Sequence, residues 1–269
     1  MRIQTQKRIA IAAFVLLIAS LLPLMVMHYT RLDPEVRRFL DMKGLAQRGD
    51  LKPKYDLAVF YGSGKGTPTN DAAAMMWIRS AAKQGEPRAQ AVLAAFYVNG
   101  GKGSRQDDIE AESLFRRSAE QGWAEGQHGL GCCYLDGRGI KQGDKLALEW
   151  FSKAAAQGYA DSQYHVSYML LNGRGTEKDE VNGIAWLAKA AVSGQADAQF
   201  AFGTAYVTGT TVQQDYVQAY KWMSLALEQG KGDKTALPAL REKMTPEQIT
   251  EAERLARDFK TLGSLTLSK

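Results

Sequence analysis

The sequence is poor in the residues that disulfide-stabilised domains and most enzymes depend on. Its 269 residues include two cysteines, three histidines and seven prolines. The cysteines, Cys132 and Cys133, are adjacent, and neighbouring residues on a helix point about 100° apart. A bridge between them would therefore need strained geometry. We expect two small side chains that pack like apolar groups, and no disulfide framework.

Motifs for catalysis and for nucleic-acid binding are also missing. The sequence has no Gly-x-Ser-x-Gly elbow, no zinc-protease motif and no convincing pair of catalytic carboxylates. The formal net charge is +5, and no run of Lys and Arg is interleaved with aromatic residues, as nucleic-acid-binding surfaces usually require. We therefore expect no enzyme activity, no cofactor and no nucleic-acid partner.

One long hydrophobic run is present, at the amino terminus. Arg2, Lys7 and Arg8 precede an uncharged run from Ile9 to Met27, which as a helix would span the roughly 30 Å hydrocarbon core of a bilayer. A signal peptide would have a shorter apolar region and small residues at its cleavage site. Residues 1–30 therefore predict an uncleaved single-pass anchor. The basic residues before the run place the rest of the chain outside, in the periplasm of a bacterium whose inner membrane holds the anchor.

From residue 49 onward, glycines recur at a nearly constant interval. The interval is 36 residues, and once 37, between Gly49, Gly85, Gly122, Gly158, Gly194 and Gly230. A period between about 20 and 50 residues is typical of solenoids, in which each unit buries its apolar face against its neighbours. The sequence therefore predicts a stack of repeats over residues 49–230.

Each repeat has the pattern of two helices. The first helix pairs a large apolar residue with Tyr or Leu four residues later and is followed by Gly-x-Gly in the first four repeats and by Gly209 alone in the last, where glycine supplies the positive φ of a helix end. These loops follow helices rather than strands, so we interpret them as turns and not as phosphate cradles. The second helix is expected to begin at residues that favour an amino-terminal cap, namely Asn70, Asp107, Gly143, Asp179 and Asp215.

A metal site can be imagined between two of these repeats. His128 and Cys132 share one face of a first helix, four residues apart, and His165 takes a neighbouring place in the next repeat. A closed zinc site takes four Cys or His ligands, and this set has too few. We therefore predict no metal.

The repeated segments closely resemble the Sel-one-like repeat (SLR) family, relatives of the tetratricopeptide repeat, as in ADAQFAFGTAYVTG, ALEWFSKAAAQG, AAMMWIRSAAKQG and GIAWLAKAAVSG. The resemblance covers about residues 45–230. It implies an all-α fold, a right-handed α-solenoid of about five helix-turn-helix repeats of 36 residues. We expect a capping helix over residues 31–48, five repeats over 49–230, and capping helices with a short tail over 231–269.

The resemblance also implies a function. Similar proteins act as adaptors, as envelope assembly or signalling factors and, in bacteria with type VI secretion, as immunity proteins that block a toxic lipase or similar effector. We therefore expect a non-enzymatic protein-binding scaffold, with an immunity or inhibitor role as the most specific expectation. Some cysteine-rich relatives are linked to cell-wall or β-lactam hydrolysis, an alternative for which this sequence offers no candidate residues.

In family members the first helices line the concave surface of the solenoid. The positions 3, 7, 10 and 14 residues after each repeated glycine form one stripe along these helices. Tyr168 stands out, because an exposed aromatic residue can anchor a partner, whereas a solvated polar face is the plainer interpretation. The predicted partner-binding stripe consists of Arg88, Val92, Asn99, Glu125, Cys132, Asp136, Asp161, His165, Tyr168, Asn172, Asp197, Thr204 and Thr208.

Overall fold

The computed structural model describes residues 29–30, 32–100 and 105–267, and their regular secondary structure is helical throughout. The predicted anchor falls almost entirely outside these residues. None of the helices in the described part of the chain combines the length and the hydrophobicity needed to cross a membrane.

The chain divides into two compact units, residues 1–89 and 90–269. The first unit holds α1 (Pro34–Arg48), α2 (Leu51–Ser63) and α3 (Asp71–Lys83), and α4 (Pro87–Gly100) begins at its end. The second unit continues with α5 (Arg105–Glu120), α6 (Ala124–Asp136), α7 (Asp144–Ala156), α8 (Ala160–Asn172), α9 (Glu180–Val192), α10 (Ala196–Thr208), α11 (Tyr216–Glu228), α12 (Ala236–Arg241) and α13 (Pro246–Leu267).

The second helix of four repeats begins where the sequence predicts. The side chains of Asn70, Asp179 and Asp215 accept hydrogen bonds from backbone N–H groups of α3, α9 and α11 at 2.9–3.0 Å, and Gly143 takes the same position before α7. The cap predicted at Asp107 is wrong, because α5 already begins at Arg105. Asp107 lies in the first turn instead, where its negative charge favours the helix dipole.

Helices also lie at both predicted capping segments. The carboxylate of Asp33 accepts from the backbone N–H of Glu35 at 2.8 Å and starts α1. At the other end Thr245 N–H donates to Gln248 Oε1 at 2.9 Å, and Gln248 N–H donates to Thr245 Oγ1 at 3.3 Å. This reciprocal pair is the capping box that the sequence predicts, and it starts α13.

The core combines large residues from both helices of a repeat with small residues on the second helices. Leu57 and Leu130 are 0% exposed, and the alanine pairs of the second helices are at most 2% exposed. Alanine at these positions lets helix backbones approach closely. The tryptophans of α7 and α9 stay half-buried under lysines of the next turn, with Lys153 Nζ 3.8 Å from the Trp150 ring and Lys189 Nζ 4.1 Å from the Trp186 ring.

A polar pair recurs in each of the five repeats, and we name these pairs the amide ladder. A residue five positions after each repeated glycine is buried on the first helix and pairs with a residue at the end of the second helix. In the first unit Lys54 Nζ donates to Gln84 Oε1 at 2.7 Å. In the second unit the donor–acceptor pairs are Gln121–Gln90, Gln157–Gln127, Ser193–Gln163 and Gln229–Gln199, at 2.7–3.1 Å.

The second glycine of a repeat loop has both a conformational and a steric role. Gly175 has φ +76°, and a Cβ there would lie 2.6 Å from the carbonyl oxygen of Asp144. The loop therefore approaches the start of α7, in the preceding repeat, more closely than any side chain permits. This contact fixes the spacing of neighbouring repeats.

Candidate interaction surface and the histidine–cysteine cluster

The structure leaves the whole predicted stripe at least partly accessible, and none of its residues is buried. Four are half-buried, namely Arg88, Cys132, His165 and Asp197. The exposed ones are Val92, Asn99, Glu125, Asp136, Asp161, Tyr168, Asn172, Thr204 and Thr208. Accessibility is necessary for binding but does not by itself identify a site.

Two of the half-buried stripe residues are engaged in ion pairs. Arg88, in the first unit, donates to Glu86 at 2.7 Å and to Asp56 at 3.4 Å, and its guanidinium lies 4.2 Å from the Tyr55 ring centroid. Asp197, in the second unit, faces Lys231 at 3.4 Å. Both side chains would have to exchange these contacts to bind a partner.

Tyr168 is the large aromatic group on the stripe. It lies on α8 and is 45% exposed, while the next stripe residue, Asn172, donates its side-chain amide to the Tyr168 carbonyl oxygen at 2.7 Å. An accessible phenol ring offers a large contact area at a small cost in conformational entropy. The position predicted from spacing therefore has the exposure that an anchor requires.

A groove of 330 Å³ runs between α4 and α6 in the second unit. Three stripe residues, Asn99, Cys132 and Asp136, contribute to its walls, together with apolar groups that include Val98 and Phe115. These three stripe residues therefore border a concave feature rather than a flat face.

The stripe rule omitted two exposed features that the structure reveals. Phe96, which is 40% exposed, follows Val92 by four residues on α4, and that spacing was the available signal. In the first unit, Asp56 and the 49% exposed Val59 line a groove of 350 Å³ together with Arg88. The same stripe positions counted from Gly49 would have found both Asp56 and Val59.

A cluster of His128, Cys132 and His165 lies between α6 and α8. One ligand atom from each lies within 4.8 Å of the others, and Cys132 Sγ is 3.6 Å from His128 Nε2. The other ring nitrogen of His128, Nδ1, is 2.9 Å from the hydroxyl of Ser162. The His165 ring stacks on the fully buried Phe151 ring at 4.5 Å and 7°. The sequence placed the three residues near one another, and the structure brings their ligand atoms together.

Burial sets the protonation of this cluster. It lowers the pKa of His128 to about 4, an effect increased by the nearby His165, whose own pKa burial also lowers. Burial raises the pKa of the Cys132 thiol to about 12. At neutral pH both imidazoles are therefore neutral, and the thiol keeps its proton and can donate it to His128 Nε2.

The cluster resembles a nucleophile–base pair but has the wrong properties for one. Ser162 is 0% exposed, so a substrate cannot reach its hydroxyl. A catalytic cysteine needs a lowered pKa to form the thiolate, whereas that of Cys132 is raised. A histidine whose pKa is about 4 is also a weak base at neutral pH. Neither the Ser162–His128 pair nor the Cys132–His128 pair is therefore prepared for covalent catalysis.

The architecture is that of a helical repeat solenoid. Five segments, residues 54–86, 87–123, 124–159, 160–194 and 196–231, match the family described as Sel1 repeat. The chain belongs to the Sel1 repeat family. No functionally curated protein gives a significant match.

Two solved structures show the same fold. A protective antigen present in uropathogenic Escherichia coli strains, displaying an SLR fold, is 30% identical with a TM-score of 0.68. The match covers 83% of this chain and 48% of that one, so this chain spans about half of its length. A Sel1 repeat protein from Oxalobacter formigenes is 23% identical with a TM-score of 0.62, over 72% and 75% of the two chains. An immunity protein from Pseudomonas aeruginosa is 19% identical with a TM-score of 0.44, over 73% and 75%.

Proposed function

We propose that this chain is a non-enzymatic scaffold that binds another protein along the first helices of its second unit, with Tyr168 as the anchor. The carrying observation is the exposed ring of Tyr168 on a stripe whose other members are accessible and, apart from Val92 and Cys132, polar. Membership of a repeat family supports the proposal, because stacked helix pairs form extended binding surfaces.

The charge of the stripe indicates the chemistry of the partner. The charged stripe residues of the second unit are all acidic, namely Glu125, Asp136, Asp161 and Asp197. Glu125 and Asp161 form no ion pair within the described part of the chain. Opposite charges across an interface guide encounter and fix register. We therefore expect a partner surface with basic side chains around a site for the tyrosine ring.

The test is affinity for a partner captured from the native cell with the full-length chain. Tyr168→Ala should weaken binding by about 2 kcal/mol, roughly thirtyfold, as for a buried aromatic anchor. Val181 provides the matched control, because it is 80% exposed on a second helix, α9, and Val181→Ala should bind normally. If folded Tyr168→Ala bound the partner with unchanged affinity, the partner would have to bind another face of the chain.

A more specific role follows from the family resemblance: the partner is a secreted effector, such as a type VI lipase, which the chain inhibits as an immunity protein. An adaptor in envelope assembly or signalling is the alternative. An effector gene beside this one, and protection of cells that co-express both, would support the immunity role. Failure to capture any effector from the native cell would favour the adaptor.

A hydrolase acting on cell-wall material or β-lactams is the competing class. The nucleophile–base pairs of the histidine–cysteine cluster do not favour it, for the reasons of burial and pKa given above. Incubation of the purified chain with peptidoglycan fragments and β-lactams decides the question. Turnover that is lost in Ser162→Ala or Cys132→Ser would replace the scaffold proposal with an enzyme.

The location proposed from the sequence is the bacterial inner membrane, with residues 1–30 as a single-pass anchor and the repeats in the periplasm. Alkaline phosphatase fused after Lys269 should be active, because it folds only outside the cytoplasm. An inactive fusion would reverse the topology. A soluble product lacking its first thirty residues would instead identify a cleaved signal.

A further inference from the structure

The histidine–cysteine cluster has the composition of a metal site. It offers two imidazole nitrogens and one sulfur from helices α6 and α8, all within 4.8 Å of one another. Thiolate and imidazole together suit zinc and copper rather than the oxygen-seeking magnesium and calcium. The three residues belong to two successive repeats of the second unit, so a bound ion would join those repeats.

The spacing of the atoms already approaches that of a coordination sphere. With Zn–N of about 2.0 Å and Zn–S of about 2.3 Å, a tetrahedral centre needs N and S about 3.5 Å apart. His128 Nε2 and Cys132 Sγ are 3.6 Å apart. All three ligand atoms lie within 4.8 Å of one another, so a small shift of His165 would bring its nitrogen to a similar distance.

The surroundings of the rings match those of bound histidines. Metal-ligating histidines donate their second N–H to a neighbouring acceptor, which fixes the tautomer. His128 Nδ1 lies 2.9 Å from Ser162 Oγ, and in the tautomer that donates from Nδ1 the Nε2 lone pair faces Cys132. His165 is held by stacking on Phe151 at 4.5 Å, and the Tyr159 ring lies 5.0 Å from that of His128.

Charged side chains flank the cluster. The exposed carboxylates of Asp161 and Asp136 act on both His165 and Cys132, and the Arg138 guanidinium acts on Cys132 with the opposite sign. The thiol binds as thiolate, and the balanced step releases one proton to solvent as the metal–sulfur bond forms.

We propose that His128, Cys132 and His165 bind one soft or borderline d10 cation, Zn²⁺ or Cu⁺, and thereby clamp α6 to α8. Counting protein ligands excluded a closed four-ligand zinc site, but three ligands satisfy Cu⁺, and Zn²⁺ takes a water or a flanking carboxylate in its fourth position.

The experiment uses the full-length chain in detergent, stripped of metal and kept reduced. Zn²⁺ and Cu⁺ are titrated separately against chromophoric chelators, and Mg²⁺ provides the negative control. At least one of the first two should bind with one equivalent per chain and raise Tm by about 5 °C at a hundredfold excess over Kd. Co²⁺ should give a thiolate-to-cobalt charge-transfer band.

Variants separate this site from adventitious binding. Cys132→Ser and His165→Gln should each weaken binding at least about a hundredfold, and Ser162→Ala about ten- to a hundredfold through loss of the orienting contact. Cys133→Ser, which alters the adjacent buried thiol, should bind as tightly as the parent. Circular dichroism of each metal-free variant establishes folding. Binding of neither ion, or equal binding by folded Cys132→Ser and His165→Gln, would overturn the proposal.

Discussion

The amide ladder predicts how much a buried side-chain amide stabilises a repeat. Gln199 is 2% exposed. Its Nε2 donates to the carbonyl oxygen of Ala191 at 3.1 Å, and its Oε1 accepts from Gln229 Nε2 at 2.8 Å. One side chain therefore joins α10 both to the end of α9, in the preceding repeat, and to the end of α11 in its own.

Gln199→Met keeps the volume of the side chain and removes both hydrogen bonds. Each bond contributes about 1 kcal/mol net, so the loss is about 2 kcal/mol. Little further penalty is expected, because Ala191 O keeps the N–H of Gly194 at 3.1 Å and the exposed Gln229 amide can turn to water. The change in unfolding free energy should therefore lie near the sum of two net bonds.

Urea unfolding followed by circular dichroism measures this loss. Gln213→Met, at an exposed position, should change the unfolding free energy by less than about 0.5 kcal/mol. Gln229→Met added to Gln199→Met should cost less than it does alone, with a coupling of about 1 kcal/mol. A loss below about 0.5 kcal/mol for Gln199→Met would refute the reasoning, because it would mean that the amides bond equally well to water when unfolded.

Two further predictions concern stability. In urea unfolding, Gly175→Ala should lower the free energy of unfolding by at least about 1 kcal/mol more than Gly194→Ala does. Both glycines have positive φ, but a Cβ on Gly194 meets nothing within 4 Å. Equal losses would show that the loop has no steric role. In the metal-free chain, the pKa of His128 is about 4, below its unfolded value of about 6.5. As the pH falls, the unfolded chain therefore takes up a proton at this histidine before the folded chain does. Stability should fall by up to about 3 kcal/mol as pH drops from 6.5 to 4, and His128→Gln should flatten that slope; an unchanged slope would contradict it.

Local signals explain what the sequence predicts well. The glycine period and the helical spacing of apolar residues predict the five repeats, and four of five second-helix caps form as expected. Asp107 fails because a cap and a first-turn acid have nearly the same sequence signal, and only the backbone decides where α5 begins. The match of five Sel1 segments confirms the family resemblance.

The interior of the site could not be predicted from one helix face. Spacing placed His165 on the stripe together with Tyr168, but the structure stacks the His165 ring on Phe151. Gly131 opens this space, since a Cβ there would lie 2.7 Å from the Phe151 ring. Side-chain direction between two repeats depends on such gaps. Tyr168 alone is consequently the cleaner probe of binding, because replacing His165 also removes a packing contact.

Site-specific photo-crosslinking in the native host tests the central claim of binding along the first helices most directly. A benzophenone amino acid replaces Tyr168 on α8 in one strain and Val181 on α9 in another, both of which are exposed. We predict that position 168 gives a discrete crosslinked protein, that position 181 does not, and that Asp161→Lys on the same stripe reduces the product. Crosslinks from position 181 alone would contradict the account.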